Sequence, residues 1–76
     1  MLDDSEIGRM AQDILRWLDP ETQRLLEIAT PDEHKTYQHF FAAYAAGKSG
    51  EPYGHLYQAF GMVIAEIAEK PEGLVN

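Results

Sequence analysis

His34, His39 and His55 are the side chains that titrate near neutrality, which makes them the first candidates for proton transfer or metal binding. Their spacing argues against a shared site. His34 and His39 stand five residues apart, which turns them about 140° from each other on a helix. A zincin-type pair needs a second histidine four positions after the first, and that place holds Gln38. With no cysteine, a zinc site would have to gather histidines and carboxylates from separate helices. The expectation is solvated or core-edge histidines, with His34 tucked against the aromatic face near Phe41, and no metal or other cofactor.

Nucleophiles fare no better. The two serines read as a helix cap (Ser5) and a loop residue (Ser49), and neither has the Gly-x-Ser-x-Gly context that exposes a reactive hydroxyl. The paired carboxylates Asp3/Asp4 and Asp32/Glu33 sit at helix starts in water, where nothing raises a pKa for acid catalysis. Gly47-Lys48-Ser49-Gly50 is superficially similar to a phosphate loop. It lacks the glycine six positions before the lysine, where Ala42 stands, and no strand leads into it. The chain is therefore not expected to be an enzyme.

Length narrows the remaining choices. Seventy-six residues make one domain, 1–76, with 71–76 expected as a frayed tail. A chain of this size buries only about 60% of its unfolded surface, and a single small core seldom supplies more than roughly 3–5 kcal/mol. Disulfides are impossible, so self-association or docking on a larger protein is the expected supplement. The Met-Leu-Asp-Asp-Ser-Glu opening has no basic or apolar signal-peptide region. The longest apolar run, 40–46, is far short of the ~20 residues that span a bilayer. A cytoplasmic location without membrane contact is the expectation.

The net charge of −7 is uneven: residues 1–33 carry nine acids and three arginines, residues 34–76 four acids and three lysines. Local helix chemistry accounts for much of this. Glu6, Arg9, Asp13 and Arg16 form an alternating ladder, as do Glu21, Arg24 and Glu27. Asp3, Asp4, Asp19, Asp32 and Glu33 crowd helix N-termini, where the macrodipole favours anions. No basic patch is present to neutralise phosphates, so direct nucleic-acid binding is not expected.

The elements that must position these residues all read as helix, giving an all-α bundle of about four: 4–18, 20–29, 31–46 and 52–70. In the first, Ile7, Met10, Ala11, Ile14, Leu15, Trp17 and Leu18 cover an arc of roughly 160°. Asp19-Pro20 restarts the chain as N-cap and first helical residue, and Leu25, Leu26 and Ala29 should turn inward. Thr30-Pro31-Asp32-Glu33 is the clearest boundary, combining an N-cap, an N1 proline and a capping-box glutamate. The third helix should bury Tyr37, Phe40, Phe41, Tyr44 and Ala45, leave Ala42, Ala43 and Ala46 on its other side, and stop at Gly47. The fourth carries a stripe of Tyr53, Leu56, Tyr57, Phe60, Val63, Ile64 and Ile67. Seven of the eight aromatics fall between Tyr37 and Phe60 and should supply most of the core volume.

Gly54, Gly61 and Ala68 repeat every seven residues along the last helix, with Ala65 nearby. A helical glycine costs roughly 1 kcal/mol relative to alanine, so two in one helix call for an explanation. Two readings stay open: close packing against the third helix, or a homodimer seam or partner-binding groove. Met62 and His55 fall on the outer side of the same helix. With Ala42, Ala43 and Ala46 they would form an apolar interaction patch if both faces are exposed.

These features point to a small acidic, non-enzymatic protein–protein interaction module. The leading expectation is a regulator or inhibitor that sterically blocks a larger protein. Antitoxins, immunity proteins, anti-activators and phage anti-defence (anti-CRISPR-style) inhibitors share this size and style. Asp3, Asp4, Asp13, Asp19 and Glu21 would steer it to a basic partner surface. A homodimer is also expected, and the alternative functions are a homo-oligomeric structural subunit of a larger assembly and an acidic nucleic-acid mimic. A helix-turn-helix reader is disfavoured, since the third helix offers only Lys35, Gln38 and His39 to a groove.

Overall fold

The first three helix starts are written in short polar signals in the computed structural model, which describes residues 3–69. Helix α1 spans Asp4–Trp17 and is capped by Asp3, not Ser5. The Asp3 carboxylate accepts from Glu6 N at 3.0 Å, and Glu6 reciprocates to Asp3 N. Ser5 lies inside the first turn. Helix α2, Pro20–Ile28, is capped by Asp19 with Pro20 at its first position. Helix α3, Pro31–Ser49, opens with the Thr30/Glu33 capping box. Helix α4, Tyr53–Ala68, follows Pro52 with no side-chain cap. No strand occurs among the described residues, and the fold is a four-helix, all-α bundle. The expected tail, 71–76, lies outside the described residues, as does Lys70.

One helix end departs from expectation. Gly47 does not stop α3; the helix continues to Ser49, and Gly50 adopts the left-handed conformation at φ 79°. Gly50 N–H then closes on the Ala46 carbonyl, while Ser49 Oγ donates back to Ala45 O at 2.8 Å. The helix thus gains most of a turn over the expected 31–46.

Helix α4 is the centre of the bundle. It packs against α1, α2 and α3, and no other pair of helices packs extensively. Its Leu56, Ala59, Phe60, Val63, Ile64 and Ile67 are buried, against Ile7, Ala11 and Ile14 of α1, Leu26 of α2 and Ala42 of α3. Such burial contributes about 25 cal/mol per Å² of apolar surface and is what holds the helices to α4.

Helix α3 is turned relative to its expected orientation. Ala42 has 0% exposure and faces the core, whereas Phe40 and Tyr44 are each 62% exposed. Ala59 of α4 is also fully buried, so small side chains on both helices let them come close. Of the aromatics, Phe60 is buried, and Tyr37, Phe41 and Tyr57 pack partly against the core. Phe41 meets Phe60 with ring centroids 5.6 Å apart. The core is therefore built from aliphatic residues and alanines around one phenylalanine. Trp17, at the edge of the α1 arc, is 66% exposed, and Leu25 also points outward where an inward position was expected.

Candidate functional site

Because α1 and α3 both rest on α4 without closing on each other, a groove runs between them. Its floor is Phe60, and its walls carry Met10, Ile14 and Trp17 from α1 and Phe41, Tyr44 and Ala45 from α3. The deeper half, about 520 Å³, also reaches Phe40 and the start of α2. The other half, about 510 Å³, shares Trp17, Ala45, Ser49 and Phe60 with it, so the two are continuous. Met10 and Trp17 are seven residues apart and therefore align on one flank of α1.

The edges of the groove are charged. Glu6, Asp13, Asp19 and Glu51 line it together with Arg9 and Lys48. The Lys48 ammonium lies 5.7 Å from the Tyr44 ring centroid, so the cation rests over the aromatic face. Asp13 shares its charge with Arg16 at 3.7 Å. That is the single ion pair of the expected ladders that forms within 4 Å among the described residues. Asp19 accepts from Thr22 N at 2.7 Å, and this backbone donor, helped by the Thr22 hydroxyl, holds its carboxyl below the ordinary carboxylate value.

The residues expected to form a partner or dimer surface fall in several places. Gly61 is occupied from within the chain: a Cβ built there would lie 2.5 Å from Gln38 Nε2. Ala42 is core and Ala46 half-buried, so neither can offer the exposed face assigned to it. Ala43, Gly54, Ala65, Ala68 and Met62 are exposed, and nothing lies within 4 Å of a Cβ built at Gly54. Met62, Gly61 and Ala65 line a shallow depression against Asp4 and Ile7. The expected patch of α3 alanines joined to outer α4 therefore does not assemble. Asp3, Asp4, Asp13, Asp19 and Glu21 are all exposed, with Asp3 and Asp19 engaged as helix caps.

The histidines are separated as well. His34 Nε2–H donates to the Leu26 carbonyl at 2.6 Å and ties α3 to the last turn of α2, not to the ring of Phe41. His39 Nδ1 and the Tyr53 hydroxyl share a hydrogen bond, and the His39 ring meets the Tyr53 and Tyr57 rings edge-on. Desolvation, then the neighbouring Tyr57, pushes the Tyr53 phenol above its ordinary value. His55 is half-buried instead of lying on the outer face, and its Nδ1 is shielded without a hydrogen-bond partner. Among the described residues no three His, Cys, Asp or Glu side chains converge to hold a metal ion. No helix there is long and apolar enough to cross a membrane.

Sequence reasoning missed the groove because it assigned Trp17, Phe40 and Tyr44 to the core. One signal was available: α3 is apolar on nearly every side, more than a single contact with α4 can cover. Compared with models of protein families, with curated proteins and with solved structures, the chain matches none of them.

Proposed function

We propose that this chain is a non-enzymatic protein–protein interaction module that acts by occupying a surface of a larger protein, as a small regulator or steric inhibitor does. The observation that carries the reading is the aromatic wall of the groove. Trp17, Phe40 and Tyr44 keep most of their surface in water, while Phe60 beside them is buried. Leaving three large rings exposed around a concave site forgoes burial worth about 1.5–3 kcal/mol for each side chain of that size. Tryptophan and tyrosine are also the residues most enriched among binding hot spots. The exposed Leu25 and Ile28 of α2 add further apolar surface.

The overall charge of −7 favours a partner with a basic face and speeds encounter with it. The test is affinity capture of the tagged full chain from its own cells, with nuclease present, alongside the variants Phe40→Ser and Tyr44→Ser. A single nuclease-resistant protein retained by the parent chain and lost from both variants is the expected result. Equal recovery by all three would remove the groove from the reading.

A further inference from the structure

We infer that the groove between α1 and α3 receives an amphipathic, positively charged α-helix of the partner protein; this rests on the docking reading above and names what docks. Shape gives the first argument. The groove is walled by two helices and floored by Phe60 of a third, and its α1 wall of 14 residues is about 21 Å long. That length matches about four turns of a partner helix, whose apolar positions at i, i+3/i+4 and i+7 would lie along the apolar walls between Trp17 and Tyr44. The other common mode, addition of a strand, needs a sheet edge, and the described residues contain no strand.

Charge gives the second argument. Glu6, Asp13, Asp19 and Glu51 line the groove against Arg9 and Lys48, a balance of two negative charges. Asp13 is offset by Arg16, and Lys48 lies over the Tyr44 ring, so Glu6, Asp19 and Glu51 stand against Arg9 and Lys48 and the rim keeps a small negative excess. A helix with apolar anchors and flanking Lys or Arg satisfies both the floor and the rim, whereas an acidic helix meets repulsion at Glu6, Asp19 and Glu51. A second copy of this chain is a poor occupant on the same ground, since each copy carries −7.

The experiment uses Trp17, the chain's one tryptophan, as a reporter built into the groove wall. A displayed library of random peptides of about 16 residues, a length of roughly four helical turns, is selected against the full chain. Peptides that bind Phe40→Ser or Tyr44→Ser equally well are discarded. Both side chains are exposed, so these variants keep the fold, and circular dichroism verifies it.

The expected survivors carry helix-spaced apolar residues and net positive charge. They should shift Trp17 emission to the blue, lose roughly tenfold in affinity on either substitution, and bind more weakly as salt rises. Survivors that seat in the groove but are acidic or extended would overturn the basic helix while leaving the docking reading intact. A free chain that sediments as a dimer with Trp17 already buried would assign the groove to a second copy and overturn the proposal. A monomer that yields no groove-dependent peptide would overturn both this proposal and the docking reading.

Discussion

Gln38 Nε2 donates to the carbonyl oxygen of Tyr57 at 2.8 Å, and it does so through the space left by the missing side chain of Gly61. A side-chain amide on α3 thereby reaches the backbone of α4, four residues before the glycine. Any Cβ at position 61 would sit 2.5 Å from the amide nitrogen and 3.2 Å from the amide carbon. The glycine in the middle of α4 is therefore a docking place for one polar side chain of the same chain. Helix propensity is given up there, and a hydrogen bond between helices is gained.

That trade predicts a coupled pair. Gly61→Ala gains about 1 kcal/mol of helix propensity but displaces the Gln38 amide, whose hydrogen bond contributes about 0.5–1.5 kcal/mol. Because the displaced group is the end of a flexible side chain, the single variant should lie within about 1 kcal/mol of the parent. In a Gln38→Ala background nothing remains to be displaced, and the same Gly61→Ala should stabilise by about 1 kcal/mol. Urea unfolding of the four proteins of the cycle measures the difference. Identical effects of Gly61→Ala in both backgrounds would mean that Gln38 and Gly61 are independent.

The two glycines at the end of α3 should respond with opposite signs. Gly47 is helical with nothing within 4 Å of its absent Cβ, so Gly47→Ala should stabilise by about 0.5–1 kcal/mol. Gly50 has equally open surroundings but sits at φ 79°, and Gly50→Ala should destabilise by about 1–2 kcal/mol through conformation alone. Thermal melts of both variants decide it. Destabilisation by Gly47→Ala would place the helix end at residue 47 after all.

The orientation of α3 gives a further contrast. Ala42→Leu adds three carbons where no surface is exposed, and overpacking of this kind costs about 1–3 kcal/mol. Ala43→Leu, one residue on and exposed, should change stability by less than about 0.5 kcal/mol. If α3 instead buried its aromatic side, Ala42 and Ala43 would both face outward and both substitutions would be harmless.

Caps and rotations differ in how much of them a sequence contains. The signals Asp19-Pro20 and Thr30-Pro31-Asp32-Glu33 act within one helical turn, so the residues that write them also satisfy them. Both helices begin where those residues say. The end of α3 was ambiguous because Gly47 and Gly50 are both competent to stop a helix, and Ser49 back-bonding to Ala45 favours the later one. The face that α3 buries was hidden for a different reason. Aromatics lie on one side and alanines on the other, so periodicity gives no preference, and the choice is made by how closely α4 can approach Ala42. The groove follows from that choice, which is why its residues were legible as apolar but not as exposed. Gln38 was invisible altogether, since an isolated polar residue on a helix that is apolar on nearly every side is read as facing water.

Asp19 connects helix capping to acid sensitivity. Its carboxylate is fully solvent-exposed, so the Thr22 N–H at 2.7 Å, then the Thr22 side chain, outweigh the small opposing effect of burial and hold its pKa below 3.8. A group with a depressed folded-state value stabilises the fold above its unfolded value, and that contribution fades as pH falls through the folded one. Asp19→Asn keeps a side-chain oxygen for the cap but has no charge to lose. The stability difference between parent and variant should therefore be level from neutrality down to the ordinary carboxylate range and shrink below pH 3.8. Melting temperatures of the two proteins across that range provide the measurement, at fixed salt so that screening is constant. A difference that stays constant to the lowest pH would mean that the oxygen caps α2 and its charge contributes nothing.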